Sequence, residues 1–322
     1  MNDRHVAVWR GIFDRCYRKG AEEGNRFMGW QSSYTGEAIP REEMEAWIGE
    51  TVGRIQEFAP RKVYEIGVGM GLIMFPLLEG CERYCATDFS GEAIAYLRDN
   101  VSDECVRFYQ READDGTAFG EEDYDMFIMN SVVQYFPSLE YLERVIGKIV
   151  EKIASGGVIF IGDVRDRRLV EAFYASVEIY RGERGIREGI VMRKANDMEL
   201  SVDPGFFEGL KGKFQRISHV EMRLKKGIVQ NELTKFRYDV ILHVEGEATG
   251  FARKEKGVPN YSVRGIFRAL ECLESASLDE LREMIDFEKA SEEWRKVYEQ
   301  FPGAEPLIDQ SDEKSCSLGL RS

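Results

Sequence analysis

Residues 63–71 read VYEIGVGMG, a short apolar run that breaks at once into three glycines at alternate positions. The run up to Ile66 predicts a buried strand, and the apolar residues 72–78 predict the start of a helix. A strand, a glycine-rich turn and a helix in this order place bare main chain and backbone N–H groups at the carboxyl edge of a sheet. We therefore expect a nucleotide-like ligand to bind at this turn.

Strands and helices alternate along the chain on both sides of this turn. Short apolar runs predict strands at 84–87, 106–109, 125–129 and 158–162, and periodic apolar residues predict helices at about 41–58, 93–100 and 139–153. Such alternation is typical of a parallel sheet with helices on both faces, so the expected fold class is α/β. Two further strands, 219–224 and 235–244, are predicted to form a hairpin at one edge of the sheet.

The domain organisation follows from length and pattern. The chain has 322 residues, close to the upper limit for a single domain. We expect a helical lid segment at 1–60 and a ligand-binding core at 61–265. A helical, charge-rich insertion at about 164–212 should lie over the carboxyl edge of the sheet. Residues 266–322 are expected to form an acidic helical extension, of which 309–322 fray.

Composition and charge disfavour several classes of protein. With 44 basic and 58 acidic residues the formal net charge is −14, which argues against nucleic acid as a partner. No apolar run approaches the ~20 residues that cross a bilayer, and the first residues lack the order of a signal peptide, so we expect a cytoplasmic protein and no membrane partner. Six cysteines without a CxxC pair are expected to be reduced, and three histidines outside HExxH or HxH spacing disfavour a metal site.

Acidic residues beside the glycine turn indicate which ligand it binds. The dinucleotide fingerprint G-x-G-x-x-G requires a glycine at position 72, where this chain has Leu72, and NAD is thereby disfavoured. Glu65 precedes the first glycine by two residues, and Asp88 closes the next predicted strand. Carboxylates repel a pyrophosphate but suit a ribose diol and a cationic group, which S-adenosylmethionine combines. An ordinary tight turn without a ligand is the structural alternative.

Several longer segments carry a resemblance to a known family. They are residues 65–72 (EIGVGMGL), 29–36 (GWQSSYTG), 86–90 (ATDFS), 130–137 (NSVVQYFP), 162–165 (GDVR) and 231–239 (NELTKFRYD). The first resembles the glycine motif of class I S-adenosylmethionine-dependent methyltransferases. The others are similar to the methyltransferase domains embedded in nonribosomal peptide synthetases and polyketide synthases, from about residue 27 to residue 260. No adenylation, condensation or carrier domain flanks the segment, so we expect a stand-alone relative.

The resemblance implies a fold and a set of binding residues. The fold is a Rossmann-like, seven-stranded, mostly parallel sheet with one antiparallel strand in the terminal hairpin, a helical lid and a C-terminal helical extension. The main chain at Gly67, Gly69 and Gly71 is implied to approach the methionine moiety. The other implied cofactor contacts are Asp88 to the ribose, Phe89 on the adenine, Ala113 and Asp114 at the adenine edge, Asn130 and Ser131 under the sulfonium, and Tyr34 as a cover.

Methyl transfer requires an acceptor held in line with the methyl group and, for an amine or hydroxyl, a general base. The predicted hairpin can bring His219 and Glu232 together, with the carboxylate orienting the imidazole, as a histidine and glutamate pair does in O-methylating relatives of the family. The alternative places His219 at the surface end of its strand. The candidates for acceptor contacts are Gln134 and Tyr135, which alternatively cap and pack a helix, and Asp163 and Arg165, which alternatively form a surface ion pair.

The expected function is methyl transfer from S-adenosyl-L-methionine to an N or O atom of a secondary-metabolite intermediate of the nonribosomal peptide or polyketide type. S-adenosyl-L-homocysteine is the expected product. The acceptor is expected to be a small molecule or a carrier-protein-tethered intermediate, and a homodimer stays open. Two rivals remain: an NAD(P)-dependent oxidoreductase on the same sheet, and a catalytically silent relative that binds cofactor or a synthetase partner as a scaffold.

Overall fold

The computed structural model describes residues 2–119, 123–182, 185–225, 229, 231–246, 258–259, 266, 268–273, 275–285 and 306–307. The strands of its main sheet are β1 (Lys62–Ile66), β2 (Arg83–Asp88), β3 (Val106–Gln110), β4 (Met126–Asn130), β5 (Val158–Arg165), β6 (Ile217–Leu224) and β7 (Arg237–Val244). Two short strands, β8 (Val258–Pro259) and β9 (Pro306–Leu307), pair in parallel with each other.

The helices lie between and around these strands. They are α1 (Asn2–Glu23), α2 (Arg41–Gln56), α3 (Met74–Leu77), α4 (Gly91–Asn100), α5 (Leu139–Lys152), α6 (Val170–Arg181), α7 (Ile186–Asn196), α8 (Pro204–Lys213), α9 (Glu232–Lys235) and α10 (Leu278–Met284). None of these described helices is both long enough and apolar enough to cross a bilayer.

The main sheet has the strand order β3-β2-β1-β4-β5-β7-β6. Strands β1 to β5 are mutually parallel, and β7 runs antiparallel to both β5 and β6. The predicted α/β, Rossmann-like fold with one antiparallel strand in a terminal hairpin is therefore confirmed. Strand order reverses between β1 and β4, and open sheets of this kind bind ligands at the carboxyl edge beside such a reversal.

Two hydrophobic clusters cover the two faces of the sheet. One packs α5 and α8 against the sheet, and the other packs α2, α3 and α4 against the opposite face. The central strand β4 is buried along its whole length, which explains its continuous apolar sequence. Helices packed on both faces hold the parallel strands in place, and the glycine turn follows the carboxyl end of β1.

Helices form in each of the predicted helical segments outside the sheet, but their ends differ from the predicted ends. Helix α2 ends at Gln56 rather than at Phe58, and a β-bridge between Gln31 and Ala38 closes the turn before it. The predicted insertion contains α6, α7 and α8. In the C-terminal extension, Ile266 and Leu281 pack against α6. The predicted fraying of 309–322 lies outside the described residues, and the domain boundaries stay predictions.

Candidate functional site

A cavity of about 570 Å³ opens at the carboxyl ends of the parallel strands, beside the reversal between β1 and β4. Its wall comes from α1, residues 26–39, the glycine turn, the ends of β2 and β4, residues 193–199 and the start of β7. The volume is typical of sites that enclose a small-molecule ligand. The cavity therefore brings together the glycine turn and segments that are far apart in sequence.

The glycine turn forms one part of the wall. Gly67 and Gly69 line the cavity with φ angles of 76° and 52°, in the left-handed region that favours glycine. A Cβ atom on Gly67 would lie 2.3 Å from Cγ2 of Val132 across the cavity wall. Gly71 is not among the lining residues, contrary to its predicted role. A Cβ atom there would lie 2.7 Å from the Phe75 ring, so Gly71 serves the packing of α3 instead.

Two buried carboxylates, Glu65 and Asp88, line the cavity beside this turn. Asp88 accepts hydrogen bonds from the N–H of Gly69 at 2.9 Å and from the N–H of Ser90 at 2.8 Å. Burial nevertheless raises the pKa of Asp88 to about 6. Burial also raises the pKa of Glu65 to about 7, although the Tyr84 hydroxyl donates to it at 2.7 Å. Both carboxylates keep acceptor capacity, so a ligand with hydroxyl donors or a positive charge would stabilise them.

Of the residues predicted to contact the adenine, two lie in the cavity wall and one lies behind it. Phe89 and Ala113 line the cavity, and the Phe89 ring centroid lies 6.1 Å from that of Phe13 in α1. Asp114 is not a lining residue. Its carboxylate instead accepts a hydrogen bond from the Tyr141 hydroxyl at 3.1 Å. Tyr141 does line the cavity. Asp114 therefore acts on the wall through Tyr141.

Asn130 and Ser131 line the cavity where β4 ends. Asn130 is buried, and its Oδ1 has no hydrogen-bond partner in the part of the chain that the structure describes. Ser131 has a φ of 56°, which is uncommon for a residue other than glycine, and its hydroxyl donates to Asp163 at 2.5 Å. Oδ1 of Asn130 faces the neighbouring strand, where a Cβ atom on Gly162 would lie 2.1 Å away, so glycine is required at position 162.

Three predicted site residues lie behind the wall rather than on it. The Tyr34 hydroxyl shares a hydrogen bond with that of Ser176 in α6 at 2.8 Å, and it anchors this segment instead of covering the cavity. Gln134 is buried, and its main-chain carbonyl accepts from the N–H of Leu200 at 2.7 Å. Asp163 is fully buried beneath the wall. None of the three is a lining residue.

The predicted pair of His219 and Glu232 does not form. In the antiparallel ladder between β6 and β7, His219 pairs with His243, at the end of β7 that lies farther from Glu232. Glu232 begins α9 and lines the cavity, and its two carboxylate oxygens accept from the N–H and hydroxyl of Ser33, each at 2.8 Å. Burial raises the pKa of Glu232. The strand register thus separates the histidine from the carboxylate.

Further charged side chains line the cavity on the side of Glu232, and of these only Arg165 was predicted. Arg165 lines the cavity and forms ion pairs with Asp197 at 3.0 Å and with Glu199 at 3.1 Å. The ion pair expected as the alternative is therefore present, although it is buried rather than on the surface, and an acceptor contact stays a prediction. Glu199 and Arg237 also line the cavity, and both act on the charge of Glu232. They were missed because the insertion and the start of β7 meet only in the folded chain.

Helix α1 supplies a part of the wall that was also missed. Trp9, Phe13 and Tyr17 recur every four residues and line the cavity. Tyr135, a predicted acceptor contact, lines it too, with its ring centroid 4.6 Å from that of Trp9 and 4.8 Å from that of Phe13. The aromatic spacing was the available signal, but the same spacing fits a helix packed on a core.

The cavity therefore has two chemically different regions. The region at the ends of β1, β2 and β4 offers two buried carboxylates, which suit a ligand with hydroxyl, amine or sulfonium groups. The region beside α9 offers Glu232, a buried carboxylate with a raised pKa that can accept a proton. Among the described residues, no group of three or more His, Cys, Asp or Glu side chains could hold a metal ion.

Comparisons with known proteins agree with this geometry. Residues 64–159 match the family model described as a methyltransferase domain. Chondramide synthase cmdD of Chondromyces crocatus is 40% identical over 80% of this chain, and a probable non-canonical nonribosomal peptide synthetase, CymA, of Salinispora arenicola is 39% identical over 75%. This chain spans only 7% and 3%, respectively, of those two proteins.

One solved structure aligns with part of this chain at low sequence identity. The N-methyltransferase NodS of Bradyrhizobium japonicum aligns over 64% of this chain and 98% of its own length, with 13% identity and a TM-score of 0.47. The fold class of this chain follows from its own strand order.

Proposed function

The chain belongs to the class I S-adenosylmethionine-dependent methyltransferases, and from this premise we propose that it transfers a methyl group to a nitrogen or oxygen atom of a nonribosomal peptide- or polyketide-type intermediate. The observation that carries the proposal is that one cavity contains both the carboxylates of the glycine turn and the buried Glu232. Similarity to nonribosomal peptide synthetases supports the class of acceptor.

The residues at the ends of β1, β2 and β4 fit S-adenosylmethionine. Asp88 would accept hydrogen bonds from the ribose hydroxyls, and Glu65 would balance a positive charge of the methionine moiety. Phe89 and Ala113 would border the adenine, and Asn130 and Ser131 would lie beside the sulfonium. When bound, S-adenosylmethionine supplies an electrophilic methyl group on a sulfonium.

Glu232 is the residue we assign as general base. It lines the cavity, it is buried, and Ser33 orients both of its oxygens. An amine or hydroxyl acceptor that gains a methyl group must lose a proton, and a carboxylate with a raised pKa is suited to take it near neutral pH. Helix α1 and the insertion both contribute to the cavity wall, and exclusion of water when ligands fill the cavity would strengthen the electrostatic interactions inside it.

Gly67→Ala is expected to abolish cofactor binding. At a φ of 76° an alanine costs about 1–2 kcal/mol of folding free energy, and its Cβ atom would displace Val132 in the cavity wall. Gly156→Ala is the matched control, because its φ is 79° but nothing lies within 4 Å of the added Cβ atom. Thermal unfolding and calorimetric titration with S-adenosylhomocysteine measure both effects. Unchanged affinity in a folded Gly67→Ala protein would exclude the glycine turn from the cofactor site.

The function itself is tested with methyl-labelled S-adenosylmethionine and matched acceptors. The panel contains aminoacyl and hydroxyacyl groups, each as a free thioester and as a carrier-loaded thioester. We expect label on a nitrogen or an oxygen, together with S-adenosylhomocysteine. Micromolar binding of NAD without binding of S-adenosylhomocysteine would favour the oxidoreductase. Binding of S-adenosylhomocysteine without transfer to any acceptor would favour a silent scaffold.

A further inference from the structure

Residues 31–38 form a tight turn that reaches across the fold to α9. A β-bridge joins Gln31 to Ala38, and the N–H of Ser32 donates to the carbonyl of Glu37 at 2.8 Å. The turn places Ser33 against Glu232, although 199 positions separate the two residues in sequence. Ser33 and Glu232 both line the cavity.

Ser33 holds the whole carboxylate rather than one of its atoms. Its N–H donates to Oε2 of Glu232 and its hydroxyl donates to Oε1, each at 2.8 Å. Two donors on two different oxygens fix the plane of the carboxylate as well as its position, as bidentate contacts do. The other lone pairs of the carboxylate stay available for a proton.

The turn is itself anchored to the insertion. The Tyr34 hydroxyl is hydrogen-bonded to that of Ser176, and Arg181 donates to the main-chain carbonyl of Ser33 at 2.9 Å. Both partners belong to α6. Ser33 is therefore held from one side by α6 while it holds Glu232 on the other.

We propose that Ser33 is a positioning residue, which orients Glu232 as a proton acceptor and couples its orientation to the docking of α6. This proposal rests on the proposed function, in which Glu232 is the general base. Ser33 is not the proton acceptor itself, because a neutral hydroxyl is a much weaker base than the carboxylate to which it donates.

The charged and titratable groups that face Glu232 set the sign of the expected effect. Burial and Glu199 raise the pKa of Glu232, whereas the two bonds from Ser33 and the charge of Arg237 lower it. The Tyr34 phenol also interacts with this carboxylate. Loss of the Ser33 hydroxyl removes one stabilising donor from the ionised form, so the pKa of Glu232 rises further.

Ser33→Ala tests the proposal, with Ser33→Thr and Thr35→Ala beside it. The alanine variant should shift the acidic limb of the profile of kcat against pH upward by about one pH unit, a tenfold change in the protonation ratio. The threonine variant keeps a hydroxyl and should restore the limb. Thr35 lies exposed in the same turn, and its alanine variant should leave the limb in place. A carbon-13 titration of the Glu232 carboxyl in the ligand-free variants should show the same order of pKa values.

Different results would overturn the proposed role of Ser33 and the proposed role of Glu232. The role of Ser33 would be overturned if a folded Ser33→Ala protein kept the acidic limb and the carboxyl titration of the wild type. If Glu232→Gln is inactive at the same time, the proposed base stays intact. Full activity of Glu232→Gln would overturn both. Binding of S-adenosylhomocysteine to each variant verifies that the protein is folded.

Discussion

Glu232→Gln is expected to reduce methyl transfer by about 10²–10⁴-fold and to leave the affinity for S-adenosylhomocysteine within about twofold. The change removes the proton acceptor but keeps the size of the side chain, and one amide oxygen can still accept from Ser33. Because Glu232 lies in α9 and the proposed cofactor residues lie at the ends of β1, β2 and β4, the substitution should lower turnover without lowering cofactor binding. Single-turnover rates and calorimetry measure the two quantities independently.

Glu199→Gln is the matched control for this prediction. Glu199 lines the same cavity and carries the same charge, but it is paired with Arg165 at 3.1 Å. Its loss should change the rate by less than about tenfold. Normal turnover of Glu232→Gln would show that Glu232 is not the base. Equal losses in both variants would show that the negative charge of the cavity matters and that Glu232 has no special role as a proton acceptor.

Asp88→Ala is expected to weaken cofactor binding by about 100-fold, since it removes an ionised acceptor for two hydrogen bonds. In the wild-type protein, the contact between Asp88 and the ligand should make the affinity depend on pH. Burial raises the pKa of Asp88 to about 6 without ligand, and ligand donors favour the ionised form. Affinity for S-adenosylhomocysteine should therefore fall as the pH drops below about 6. The Asp88→Ala variant should lose the component of this dependence near pH 6 and keep the component near pH 7 that Glu65 contributes.

Asp114→Ala compares a residue behind the cavity wall with Asp88, which lies on the wall. Asp114 contacts Tyr141 rather than the cavity, so its loss should weaken binding by only a few-fold. Thermal unfolding at each pH verifies that the Asp88 variant is folded, because Asp88 also accepts from the main chain of Gly69 and Ser90. Equal affinity of wild type and a folded Asp88→Ala would remove Asp88 from the ribose site.

The sequence predicted those features that local pattern determines. An apolar run, a glycine turn and an acid at the end of the next strand depend on neighbouring residues alone, so β1, Gly67 and the placement of Asp88 at a strand end were predictable. Strand alternation likewise predicted the parallel sheet, because helical connections of this length join parallel neighbours. These features account for the part of the cavity at the ends of β1, β2 and β4, where we propose that the cofactor binds.

The acceptor half depended on tertiary register and was predicted poorly. His219 and Glu232 were expected to meet because they flank one hairpin, but the β6–β7 ladder pairs His219 with His243. The actual partner of Glu232 is Ser33, whose position is set by packing of a turn on α6. No spacing along the chain encodes that contact.

A crystal structure of the complex with S-adenosylhomocysteine tests the central claim most directly. The account predicts adenosine bordered by Phe89 and Ala113, ribose hydroxyls within hydrogen-bond distance of Asp88, and the sulfur facing the region that contains Glu232. A cavity that stays empty at saturating ligand, or a ligand bound away from Asp88 and the glycine turn, would contradict it.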